Sequence, residues 1–251
     1  MNLVPPFKSL AFPLLFVVSL GILASPECHA QQASDPKPPV PGSINRPVGD
    51  DPPEPEHKRL FGIVPNYRTF PSLTHYQPLT TSEKFKIAGQ DSFDRGTFIL
   101  AAAFAGESDL TKAAPSFGHG AAAYGRYIGT SYADFVIGNF MTEAIYPSLL
   151  HQDPRYFRRG KGTGLSRVGY SIGQLFWTHT DSGGTQFNYS EVLGNASGVA
   201  ISNAYYPDNR DASDAIIKLG TQLGVDMAAN VLKEFSPDIY HKFARKHRSN
   251  N

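Results

Sequence analysis

Three scarcities limit what this chain can be. It has a single cysteine, Cys28, so it can form no disulfide within one molecule. Only 18% of its residues are charged, and the formal net charge of +1 gives no field that would draw it to nucleic acid. Beyond its first thirty residues no run of 18 uncharged apolar residues occurs, so no later segment reads as a membrane span. Sustained alternation of apolar and polar residues is also missing, which argues against a transmembrane β-barrel.

What is present begins with an expected secretory signal over residues 1–30. Lys8 supplies the positive start, Ser9–Ala24 the apolar run, and Cys28-His29-Ala30 the cleavage site. Pro26-Glu27-Cys28 lacks the small residue that lipidation requires. Cleavage after Ala30 removes the cysteine, leaving packing alone to hold about 220 residues, enough for one full core. Residues 31–56 carry Pro36, Pro38, Pro39, Pro41, Pro47, Pro52, Pro53 and Pro55 and read as a disordered linker. Residues 57–79 mix apolar side chains with Pro65, Pro71 and Pro78, and read as an irregular arm packed on the domain.

Residues 80–240 carry helical periodicity. The expected fold is all-α: a single bundle of about five helices, followed by a basic tail over 241–251. The first helix opens at the capping box Thr80-x-x-Glu83 and runs to about Gly106, burying Phe85, Gly89, Phe93, Gly96, Leu100 and Ala103. The second covers about Ser116–Leu150, with Ala121, Gly125, Gly129, Val136 and Phe140 inward and Pro147 kinking or ending it. The third spans about Leu165–Thr180 and buries Leu165, Gly169, Ile172 and Phe176. A fourth, about Ser190–Tyr206, has only a narrow polar stripe of Glu191, Asn195 and Ser202. The fifth runs from Ala212 to Phe235, with Ile216 in its core stripe, and stops at Ser236-Pro237.

Four GxxxG steps cross these helices: Gly125–Gly129, Gly169–Gly173, Gly194–Gly198 and Gly220–Gly224. A helix-interior glycine costs about 0.5–1 kcal/mol relative to alanine, and close approach of another backbone is the usual return. Charges such as Arg126, Asp134, Glu143, Lys218 and Asp226 interleave with the steps, favouring a bundle over membrane spans.

Several residues could carry chemistry. His151-Gln152-Asp153 and His179-Thr180-Asp181 each pair an imidazole with a carboxylate at an expected helix end. Brought together, they would offer four ligands to a divalent metal; separately, Asp153-Pro154 and Asp181-Ser182-Gly183-Gly184 read as ordinary caps and turns. Glu143 falls on the face of Gly125, Gly129 and Val136. A carboxylate there needs a cation, with Arg155, Arg158 or Arg159 as candidates, or acts as a catalytic carboxylate in a pocket. Arg158-Arg159-Gly160-Lys161-Gly162-Thr163-Gly164 is basic and glycine-rich and could cradle phosphate, though it lacks Walker spacing.

Pro115-Ser116-Phe117-Gly118-His119 resembles the Pro-Ser-Gly-His segment of the type 2 phosphatidic acid phosphatases, with Phe117 inserted. The resemblance covers five residues. It implies that His119 acts on a phosphate leaving group, but the family's upstream Lys…Arg-Pro segment is missing and Gly173 stands where a downstream histidine belongs.

The leading functional expectation is an exported, non-enzymatic structural or interaction protein of the periplasm or cell envelope, engaging an envelope component or a membrane surface. A metal-dependent or phosphate-directed hydrolase built on His119, Glu143, His151, Asp153, His179 and Asp181 is one alternative; a module binding a lipid or small apolar ligand between helices is the other. No cofactor motif is present.

Overall fold

Thr80 starts the helical part of the molecule as a closed capping box. Its hydroxyl accepts the Glu83 N–H while the Glu83 carboxylate accepts the Thr80 N–H at 2.7 Å. In the computed structural model the described residues are 58–70, 76–208 and 211–248, with side chains as far as residue 240. The expected signal, the linker, part of the arm and the side chains of the basic tail lie outside them.

The chain is mostly helical, with six helices among the described residues. Helix α1 spans Thr81–Ser92 and α2 spans Arg95–Thr111. The single first helix read from the sequence is thus divided, because Asp94 caps a new start: its backbone is extended and its carboxylate accepts the Gly96 N–H at 2.6 Å. Helix α3, Ala121–Asn139, begins later than Ser116, since Pro115–Phe117 forms a 3₁₀ turn and Gly118 and Gly120 take positive φ. It runs straight into a π-helical segment, Phe140–Ile145, and a last α-turn, Tyr146–Leu149.

Helix α4 is Gly164–Gly173, shorter than its expected Thr180 end. The next residues form the antiparallel hairpin β5 (Trp177–His179) and β6 (Thr185–Phe187), joined through Asp181-Ser182-Gly183-Gly184. Earlier, β1 (Arg59–Leu60) pairs antiparallel with β2 (Val64–Pro65), and β3 (Thr69–Phe70) pairs parallel with β4 (Tyr156–Phe157). The first ladder folds the arm on itself, and the second ties it to the domain.

Helix α5 is Tyr189–Tyr205 and α6 is Ala212–Arg248. The expected stop at Ser236-Pro237 does not occur. Pro237 has no N–H for the Lys233 carbonyl, but the buried Ser236 hydroxyl donates to that carbonyl at 3.1 Å and lets the helix continue.

Helix α3 and its π segment form the hub. Helix α2 lies along α3, α1 and α5 pack on the π segment, and α6 lies beside α5 and α4. A small apolar core of Ala105, Ala114, Phe117, Ala123 and Tyr127 joins α2 to α3. The Tyr127 hydroxyl closes it, accepting the Ala114 N–H and donating to the Ala114 carbonyl.

Several helices bury polar residues and expose apolar ones that the sequence reading places inside. Phe85 and Phe93 are exposed while Lys84, Asp91 and Asp94 are buried; Leu165 is 85% exposed while Arg167 and Ser171 are buried. On α5 the polar stripe Glu191, Asn195 and Ser202 faces inward, and Leu193 and Ile201 face outward. On α6, Ile216 is 71% exposed, whereas Lys233 and Glu234 are buried. The physical reason is mutual satisfaction: each polar stripe meets another, so the buried charges find partners that no single helix pattern reveals.

Candidate functional site

Glu143 is the centre of the largest of these polar contacts, and the π segment places it there. A π-turn holds one residue more than an α-turn, which shifts later side chains by roughly 100° around the axis. Gly125 and Gly129 therefore face outward, with nothing within 4 Å of a built Cβ, while Glu143 is 1% exposed. The shared face read from regular helical spacing does not exist.

Its cation comes from the arm. Arg68 Nε lies 3.2 Å from Glu143 Oε1, and its Nη1 lies 3.9 Å from Glu191 Oε2. None of Arg155, Arg158 and Arg159 serves here. The Asn195 amide donates to Glu191 Oε1 and to Asp226 Oδ2, both at 3.2 Å. Asp91 accepts the Tyr67 N–H at 3.4 Å and shares a hydrogen bond with Glu143, and the Lys233 ammonium completes the set.

Four carboxyls thus surround two cations, and two protons make the cluster neutral. Burial, reinforced by the neighbouring Asp91, holds the Glu143 carboxyl well above its usual range. Burial likewise raises Asp91. Glu191 is pushed up to about 8 by burial and by Asp226, and Lys233 is pulled down to about 8 by burial and by Arg68. A proton held between Asp91 and Glu143 also accounts for Glu143 Oε2, which has no other hydrogen-bond partner. The adjoining cavity, lined by Arg68, Asp153, Arg155, Glu191, Asp226 and Asn230, measures about 30 Å³. That is room for water, not for a substrate.

The two His-x-Asp units do come together, through backbone rather than through a metal. Gln152 and Thr180 form an antiparallel bridge, in which the Asp153 N–H donates to the His179 carbonyl and the Asp181 N–H to the His151 carbonyl. Each carboxylate is already held by a cation. Arg155 grips Asp153 through Nε at 2.9 Å and Nη2 at 2.6 Å, and Lys84 lies 2.7 Å from Asp181. The His179 ring packs against Phe157 and Tyr76, and burial lowers its pKa. His151 is exposed and takes positive φ, with Nδ1 3.9 Å from Asp181. Among the described residues no three His, Cys, Asp or Glu side chains converge as a metal site.

The basic loop does cradle an anion, and the anion is internal. The Arg159 and Gly160 N–H groups donate to the Glu234 carboxylate at 3.0 and 2.8 Å, joined by the Tyr156 hydroxyl and Arg167 Nε, both at 2.8 Å. Those two N–H groups are taken up by Glu234. His119 stands exposed between Gly118 and Gly120, and the Ser116 hydroxyl donates to Asp208 at 2.6 Å.

Arg68, Asp91, Glu191, Asp226 and Lys233 escaped the sequence reading as site residues. The available signal was the narrow polar stripe on α5, since Glu191, Asn195 and Ser202 amid apolar residues demand polar partners. No protein-family model matches this chain, nor does any curated protein or solved structure.

Proposed function

We propose that this chain is a non-enzymatic structural or interaction protein of the cell envelope, exported by its N-terminal signal and working through an apolar outer surface. One observation carries the reading: α1, α2 and α5, with Phe93 between the first two, turn Phe85, Phe93, Phe98, Leu193 and Ile201 outward, while Lys84 of α1 and Glu191 of α5 pair inside with Asp181 and Arg68. Exposed apolar surface of this extent marks a face that another surface covers. Close small-residue packing belongs to the same reading. The Gly194–Gly198 step of α5 accommodates the π segment and α3, with backbone atoms of Met141 and Thr142 3.1 Å from a Cβ built on Gly194.

The interior favours support over catalysis. The titratable groups around Glu143 are paired or share protons, and the cavity beside them is about a tenth of the ~300 Å³ that a small-molecule pocket needs. The test is the solution behaviour of the exported protein in detergent-free buffer. The reading expects self-association or flotation with phospholipid vesicles. A monodisperse monomer that does neither refutes it, and N-terminal sequencing of the envelope-extracted protein checks cleavage after Ala30.

A further inference from the structure

We infer that the outward face of α3, from Gly125 to Phe140, together with the aromatic side chains of α1 and α2 beside it, docks a second copy of this chain. The inference rests on the interaction reading above and names its partner.

The face is continuous. Gly125, Gly129, Tyr132, Val136 and Phe140 follow one another at steps of three or four along a single stripe of α3. Phe98 packs edge-on against Tyr132, and Phe85 and Phe93 both meet the Phe140 ring, so the stripe passes without a break into α1 and α2. Phe85, Phe93, Phe98, Ile99 and Tyr124 remain 41, 69, 52, 48 and 37% exposed. At about 200 Å² per ring, the four aromatic side chains alone leave roughly 400 Å² in water, half of the ~800 Å² that each partner contributes to a stable interface. The half-buried stripe between them supplies further area.

The shape of the face selects its occupant. A lipid surface gains nothing from a missing Cβ, whereas a helix backbone does, because it alone can approach to that depth. The molecule provides its own precedent: the filled glycine step, Gly194–Gly198, is filled by helix backbone at Gly138, Met141 and Thr142. Gly125 and Gly129 form the same kind of step on an apolar face, and among the described residues nothing beyond their own helix lies within 4 Å of a Cβ built on either.

A second copy suits the face because the face is self-complementary. It carries both the slot, flanked by Ala121 and Ala122, and the projecting rings that would border it. About a twofold axis each copy presents the same patch, so like charges on the stripe would repel; the stripe has none. Arg126 at its edge is tied to the Phe117 carbonyl at 2.7 Å.

The experiment uses the exported protein, from which cleavage after Ala30 takes away Cys28, so that no native thiol remains. Sedimentation equilibrium should find a dimer. The double variant Gly125→Leu, Gly129→Leu should weaken dimerisation by at least about tenfold while keeping its helical circular dichroism, since open space surrounds both positions. Leu165→Ser, away from this face, should leave the dimer intact. Tyr132→Cys should form an intermolecular disulfide under mild oxidation, and Leu165→Cys should not. A monomer that floats with vesicles overturns the second-copy inference and leaves the interaction reading standing. A dimer indifferent to both leucines and not linked through Tyr132→Cys does the same. A monomer that binds no vesicle removes both.

Discussion

Arg68 of the arm meets Glu143 of the π segment at 3.2 Å, across a separation of 75 residues, where neither side chain has ready access to water. The arm is therefore more than a cover. It supplies a cation to carboxyls on α1, the π segment, α5 and α6, and the same short stretch places Tyr67 within 3.0 Å of Asp94 and Arg59 on that carboxylate.

Removing that cation should be severe. Arg68→Ala leaves the buried Glu143 and Glu191 facing one another's field without their arginine, and a loss of about 3–5 kcal/mol is expected. Glu143→Gln should cost much less, because an amide replaces a carboxyl that already holds or shares a proton. Urea unfolding of the two variants provides the comparison; equal losses would show that the arginine acts by packing alone.

Stability should peak at mildly acidic pH. Glu191, with its folded pKa raised to about 8, keeps a proton that the unfolded chain releases near 4.5, so stability is present below that point and declines as pH rises to about 8. Asp91 and Glu143 act in the same direction. Lys233 has the opposite sign: its folded pKa is lowered to about 8, so stability recovers from there towards 10.5. At the acid end burial opposes ionisation of Asp94, but Arg59, the Gly96 N–H and Tyr67 outweigh it and depress its pKa, so its contribution disappears as pH drops through that lowered value. Thermal melts from pH 3 to 10 should show a maximum near 4–5 and a minimum near 8. A maximum at neutral pH would contradict the shared-proton arrangement.

Two glycines should respond in opposite ways. A Cβ on Gly194 would stand 2.8 Å from Thr142 Cγ2 and 3.1 Å from backbone, so Gly194→Val should destabilise the fold by about 2–3 kcal/mol. Gly129→Ala meets open space and should stabilise the isolated subunit by up to about 1 kcal/mol through helix propensity. Denaturant midpoints measured at concentrations too low for association separate the two.

The continuation of α6 past Pro237 depends on one hydroxyl. Ser236→Ala leaves the Lys233 carbonyl without its donor, at an expected cost of about 1–2 kcal/mol. Adding Pro237→Ala returns a backbone N–H to that carbonyl and should recover most of the loss. No recovery would mean that Ser236 contributes through packing against its buried surroundings.

Local chemistry was legible wherever it was decided within a few residues. The Thr80–Glu83 capping box and the Asp181-to-Gly184 turn could be read directly, because caps and turns depend on adjacent side chains. Asp94 was a missed cap for the complementary reason: it interrupts an otherwise helical pattern, and Gly96 just beyond it was counted as part of a face. The Trp177–Phe187 hairpin was missed because strands of three residues are too short to establish a period.

By itself, the sequence determined that this chain is mostly helical, where most of its helices lie, and that Glu143 needs a partner. Periodicity and capping are properties of neighbouring residues, so no tertiary knowledge was required. Which face of each helix points inward was decided only by the tertiary structure. An amphipathic helix can bury either side, provided that its polar stripe meets groups that neutralise and hydrogen-bond it. Arg68, Asp91, Glu191, Asp226 and Lys233 come from an arm and three helices spread over 166 residues, and only their meeting around Glu143 makes the polar side the interior. The π segment is part of that decision, since its extra residue turned Glu143 inward and left the glycines of α3 facing out.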